Sequence, residues 1–142
     1  MDPKELATKV VDQMYNNDPF SQWLGIERVE DGAGISLLRL TVTKEMLNGF
    51  GIAHGGITYS LADSALAFAA NSYGQQCVSI ETSISHTKAV KEGDVLTAVA
   101  KEANKTDKIS RYEITIFNQD NENVAIFKGS AYNTGKAWFP EE

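Results

Sequence analysis

At 142 residues the chain is the size of one domain, large enough to bury a single core and too short for two of ordinary size. A net charge of −6 at pH 7 and a pI near 4.9 argue against nucleic acid as a general partner, although local lysines remain available to hold phosphates. The single cysteine, Cys77, leaves no internal disulfide, the chain opens with charged residues, and no apolar run is long enough for a bilayer; a cytoplasmic protein with no membrane partner is expected.

Asp2-Pro3-Lys4-Glu5 supplies a capping aspartate, a proline for the first helical position and a glutamate behind it, so a helix is expected within 1–17. Leu6, Val10, Val11 and Met14 fall on one of its faces. Strands are expected over 23–30 and 35–42, joined by a turn at Asp31-Gly32-Ala33-Gly34. A loop over 44–53 leads to a helix over 55–70, whose Ala and Leu content favours helix and whose low polarity nearly all round calls for burial. Strands follow over 78–85, 95–102, 110–118 and 124–133. In the first of these Val78, Ile80, Thr82 and Ile84 are expected to share one face. The stretch 103–108 reads as a lysine-rich hairpin loop, and the tail from 134 onward has no strong pattern, with Trp138 and Phe139 free to dock. An Ala-rich helix set among β-runs predicts an α+β domain in which an antiparallel sheet curls around a long central helix.

Asp63 stands apart. Between Glu45 and Glu81 it is the only formally charged residue, set among Leu61, Ala62, Ala65 and Leu66. Desolvation there raises a carboxyl pKa and suits it to base chemistry. At the start of the same helix, His54, Gly55 and Gly56 form a corner where unpaired N–H groups and the helix dipole can receive a developing oxyanion. With ~1.5 Å rise per residue, Asp63 lies about 12 Å along the axis from Gly55, too far for one carbonyl to touch both in a single chain. A two-fold dimer with the two helices side by side would bring the Gly55 end of one opposite Asp63 of the other. Asn48, in the preceding loop, serves equally as turn former or as holder of a water. No ligand spacing for a metal or redox cofactor is present.

The stretch NGFGIAHGGITYSLADSALAFAAN (48–71) resembles the signature of the hotdog-fold acyl-CoA thioesterases, specifically the phenylacetic-acid-degradation (PaaI-like) group: Asn, then Gly, then His-Gly-Gly, then Leu-Ala-Asp on the helix. The likeness continues through Gly93-Asp94-Val95-Leu96 and VAIFKGSAYN near the end, and covers roughly 23–135. The resemblance implies a single hotdog domain over 1–142, with an N-terminal helix at 1–17 and a tail at 136–142. It implies hydrolysis of acyl-CoA, with coenzyme A as part of the substrate and no cofactor, by a homodimer or homotetramer.

By the same resemblance Asp63 is general base or nucleophile, the Gly55 N–H is the oxyanion donor, His54 orders that corner, Asn48 positions water or thioester, and Ser79 helps hold water. It also divides the site: Asn48, His54 and Gly55 from one subunit, Asp63 and Ser79 from the other. Gly56, Lys88, Lys105 and Lys108 are the expected substrate contacts, the lysines toward the coenzyme A phosphates. Many relatives carry an aromatic residue followed two positions later by Arg-Pro where this chain has His86, Thr87, Lys88 and Ala89, so the coenzyme A contacts transfer least well, and His86 is read as an ordinary strand residue. Phe50, Tyr59, Phe68 and Tyr73 are the aromatics that could favour an aryl acyl group. The alternatives are a non-catalytic acyl-CoA-binding domain and an enoyl-thioester hydratase or dehydratase.

Overall fold

The computed structural model describes residues 1–140; Glu141 and Glu142, the end of the expected tail, lie outside the described residues. Helix α1 (Pro3–Asn16) starts where the sequence signature puts it, with the Asp2 carboxylate accepting the Glu5 N–H at 2.7 Å, and it buries Ala7, Val10 and Val11. A second start of the same type follows at once. Asp18 accepts the Ser21 N–H at 2.9 Å ahead of Pro19, and α2 (Pro19–Trp23) forms over residues given no element from the sequence, ending on Trp23, where a strand is expected to begin. Trp23 therefore ends a helix and is 79% exposed, and strand β1 (Glu27–Gly32) begins only four residues later.

β1 pairs with β2 (Ile35–Thr41) across the predicted turn. A short 3-10 turn (Lys44–Met46) leads to α3 (Gly55–Asn71), the predicted central helix, one residue longer than expected at its C-terminus. The strands β3 (Gln75–His86), β4 (Val95–Lys105), β5 (Ile109–Phe117) and β6 (Asn123–Ala137) then complete one antiparallel sheet in the order β1-β2-β4-β5-β6-β3. Residues 103–105, expected in a loop, extend β4 beyond a bulge at Glu102–Asn104. Residues 134–137, expected in the tail, extend β6.

The sheet packs around α3. Leu61, Leu66 and Phe68 of the helix meet Leu40, Ile114 and Phe127 of the sheet in one core, each at most 1% exposed. Burial of side chains this size stabilises by about 1.5–3 kcal/mol each, which is the main force wrapping sheet on helix. Gly129 permits the close approach, because a Cβ there would lie 2.6 Å from Leu66 Cδ2. Gly56, Ser60, Asp63 and Ala67 are left partly exposed along α3.

β3 departs from its expected alternation. Its register against β6 slips between Ser79 and Glu81, a bulge that reverses which side chains face the helix. His86, Ile84 and Thr82 pair with Ala125, Phe127 and Gly129 on the helix-facing side, whereas beyond the bulge Ser79 pairs with the buried Ala131. Val78 and Ile80, predicted to share the apolar face with Ile84, are 55% and 57% exposed instead.

The C-terminal end of α3 is tied down completely. Asn71, 1% exposed, donates from Nδ2 to Ala67 O and Cys77 O, and its Oδ1 accepts the Cys77 N–H at 2.8 Å and the Trp138 Nε1–H at 2.9 Å. Trp138 thus docks on α3, and Phe139 carries the Lys9 ammonium 4.0 Å from its ring centroid. The part of the tail described here is specified by these contacts.

Candidate active site

At the N-terminus of α3, His54 is the cap. Its main-chain N–H donates to Met46 O at 2.8 Å and its Nδ1 accepts the Gly56 N–H at 2.8 Å. The Ile57 N–H donates to His54 O at 2.9 Å. Of the first three helical N–H groups, that of Gly55 alone has no partner among the described residues. The Gly56 N–H, expected to face substrate, is committed to His54. The open donor at the positive end of a 17-residue helix is therefore a single, well-defined group.

Asn48 organises the loop ahead of this corner. Its Oδ1 accepts the Phe50 N–H at 2.9 Å and lies 3.4 Å from the Ile52 nitrogen, while its Nδ2 has no partner among the described residues. Turn forming therefore occupies the carbonyl and leaves the amide N–H groups available. Asn48 and Gly55 line one cavity of about 420 Å³, together with Thr58, His86 and Lys88. His86, given no role from the sequence, lies against this corner: its Nε2 is 2.7 Å from Thr58 Oγ1, and its Cε1 is 3.2 Å from the point where a Cβ on Gly55 would stand. The β3 pairing carries the signal, since His86 shares the helix-facing side with Thr82 and Ile84.

Asp63 lies elsewhere. It lines a second cavity of about 420 Å³ with Ser79, Leu66, Ala67, Cys77 and Trp138, and no hydrogen bond to it forms among the described residues. Burial holds its carboxyl above the ordinary aspartate range, and no other cause contributes. In the same cavity burial pushes the Cys77 thiol up, against the smaller opposing effect of Lys105. Within the chain the structure brings Asp63 together with Ser79, and Gly55 with Asn48, but keeps the two pairs in separate cavities.

The lysines are divided as well. Lys88 lines the Gly55 cavity with its Nζ 3.3 Å from Glu122 Oε2, whereas Lys105 and Lys108 line a recess of about 240 Å³ beside Tyr73 and Ser110. Of the four aromatics named from the sequence, Phe68 is in the core, Tyr59 bonds to Thr82 at 2.6 Å and Tyr73 to Glu102 at 2.7 Å; Phe50, 90% exposed, is free of such ties. An apolar hollow of about 530 Å³ adjoins the corner, lined by Phe20, Trp23, Met46, Leu47, His54 and Gly56 among others. Among the described residues no group of three His, Cys, Asp or Glu side chains converges as a metal cage would need, and no helix is long and apolar enough to cross a membrane.

A sheet wrapped on a long buried helix is the hotdog architecture, and the likenesses that follow make the chain a thioester hydrolase. The thioesterase superfamily pattern matches residues 50–125, and the chain belongs to that family. The acyl-coenzyme A thioesterase PaaI of Escherichia coli (strain K12) is 38% identical over 122 residues, covering 86% of this chain and 87% of the relative. The solved structure of the E. coli PaaI protein from the phenylacetic acid degradation operon superposes with a TM-score of 0.93 at 34% identity, covering 96% of this chain and 99% of that one. A hypothetical thioesterase from Streptococcus pneumoniae, solved with coenzyme A, superposes with a TM-score of 0.76 at 28% identity over 79% of this chain and 90% of that one.

Proposed function

We propose that this protein hydrolyses acyl-CoA thioesters to the free acid and coenzyme A, at sites each built from two subunits. The observation that carries the reading is the division of labour along α3: an unpartnered, desolvated carboxylate beside one cavity and the open Gly55 N–H at the helix start beside another. A single chain holds two half-sites. Two helices placed side by side along the partly exposed Gly56, Ser60, Asp63 and Ala67 would bring them together. The free edge of β3, twelve residues long with Val78 and Ile80 exposed, supports the same assembly, since an edge of this kind invites pairing with a second copy. A tetramer would be a pair of such dimers.

In this assembly the thioester oxygen takes the Gly55 N–H of one subunit, with the Asn48 amide beside it. Asp63 of the partner subunit then either draws the proton from an attacking water or attacks the carbonyl itself, forming an anhydride that water, held by Ser79, goes on to hydrolyse; by either route the C–S bond breaks and coenzyme A leaves as the thiol. One oxyanion donor is commonly worth ~3 kcal/mol, and base catalysis adds ~10² to 10⁴ in rate. The coenzyme A substrate class is supported by the E. coli relative, an acyl-coenzyme A thioesterase, and by the coenzyme A bound to the streptococcal neighbour. Phenylacetyl-CoA is the first acyl group to test, by the likeness to a protein of phenylacetic acid degradation.

Subunit mixing tests the shared site. Asp63→Asn and Gly55→Ala proteins, each inactive alone, are unfolded together in equal amounts and refolded. Half of the dimers are then hybrids with one intact site of two, so thiol release from acyl-CoA should recover to about a quarter of wild type. Sites contained within one chain would recover nothing.

A further inference from the structure

His86 holds one nitrogen fixed and the other free. Thr58 Oγ1 lies 3.0 Å from Gly55 O, as donor, and 2.7 Å from His86 Nε2. A hydroxyl has one proton to give. With that proton on the Gly55 carbonyl, the contact with His86 is a hydrogen bond only if Nε2 carries the hydrogen and donates to Thr58. The opposite arrangement would leave two oxygens 3.0 Å apart with no proton between them. The network therefore puts a hydrogen on Nε2 and excludes the tautomer with its only hydrogen on Nδ1, so that in the neutral ring Nδ1 is the lone-pair acceptor. Nδ1 has no partner among the described residues and stands 4.0 Å from the point a Gly55 Cβ would occupy, and His86 and Gly55 line the same cavity.

We infer that His86 is a substrate-binding residue that accepts, at Nδ1, an N–H on the thiol arm of the substrate. This rests on the acyl-CoA reading above. In coenzyme A an amide N–H follows the sulfur after two methylenes, and the phosphates lie further out. When the thioester oxygen occupies the Gly55 N–H, the arm leaves past the imidazole that lies against Gly55, and then toward Lys88 in the same cavity. Carbonyl, amide and phosphate thus meet Gly55, His86 and Lys88 in the order in which the substrate carries them. A ring needed only to fill space beside Gly55 would require no nitrogen; here one nitrogen is anchored so that the other is an acceptor.

The experiment compares wild type with His86→Phe and His86→Gln on three thioesters of one acyl group: the CoA thioester, the N-acetylcysteamine thioester, which keeps the amide and lacks the phosphates, and the S-ethyl thioester, which lacks both. Loss of one neutral hydrogen bond should raise KM about fivefold in His86→Phe for the two amide-bearing substrates. It should leave kcat within twofold and the S-ethyl KM unchanged, and His86→Gln, with an acceptor oxygen, should recover part of the loss. Equal KM changes on all three substrates, no change on any, or a uniform fall in kcat would each overturn the inference while an active wild type keeps the acyl-CoA reading intact. A wild type that turns over none of them would overturn both.

Discussion

The two ends of α3 are built to opposite specifications. At the C-terminus, Asn71 places four hydrogen bonds on α3, β3 and Trp138, and Ser72 Oγ donates to Ala69 O while accepting the Gly34 N–H at 2.7 Å. At the N-terminus the cap is partial: His54 takes the Gly56 N–H, and the Gly55 N–H stays open beside His86. Both ends belong to one helix in one core, so the difference is not one of general stability. A satisfied end holds the fold together, and an incomplete one keeps a donor open.

The sharpest way to test the contrast is to alter the group between the two ends. Asp63→Asn should lower thiol release by about 10² to 10⁴ while the protein remains folded. It should also raise Tm at pH 7. Burial lifts the folded-state carboxyl pKa above 3.8, so the folded protein holds a proton that the unfolded chain gives up. The native state is accordingly favoured at low pH and loses that advantage as pH rises through the raised value. The Tm gain of Asp63→Asn should therefore vanish on acidification below pH 3.8, as thermal melts across pH would show. Wild-type hydrolysis should fall on the acid side at a higher pH than an ordinary aspartate gives.

At the open end, Gly55→Ala should cost roughly 10² in kcat, the worth of one displaced oxyanion donor. The added methyl meets His86 Cε1 at 3.2 Å, which pushes the ring or the helix start aside. Melting temperature should hardly move, because alanine favours helix over glycine by up to about 1 kcal/mol and offsets the contact. At the sealed end the reverse is expected. Asn71→Ala should destabilise by about 3 kcal/mol in urea titration, since it leaves buried partners unpaired, with kcat per folded molecule changed less than twofold. If Gly55→Ala unfolds the protein, or Asn71→Ala spares its stability, the division between the two ends fails.

Much of this was legible in the residues themselves. The bounds of α3, the series of strands and the isolation of Asp63 depend on local composition and spacing, and the structure has all three. α2 was legible too in principle, because Asp18-Pro19 repeats the Asp2-Pro3 start, but the strand-like run after it obscured the signal. What could not be read depends on register and on partners distant in sequence. The bulge at Ser79–Glu81 reverses the facing of half a strand and exists only in the pairing with β6. His86 reaches Thr58 across 28 residues, and Trp138 reaches Asn71 across 67. The placement of Ser79 beside Asp63 follows from that same bulge, not from the alternation of its neighbours.

The docking of Trp138 has an optical consequence. The chain has two tryptophans, and they occupy contrasting surroundings: Trp23 is 79% exposed, whereas Trp138 is partly buried, bonded through its indole N–H to Asn71, and forms a wall of the Asp63 cavity. Indole emission shifts to the blue as water is excluded, so Trp138 is a native fluorophore set in the wall of the Asp63 cavity. With Trp23 replaced by Phe, its spectrum would report occupancy of that cavity, by a ligand or by a second subunit, without any attached dye.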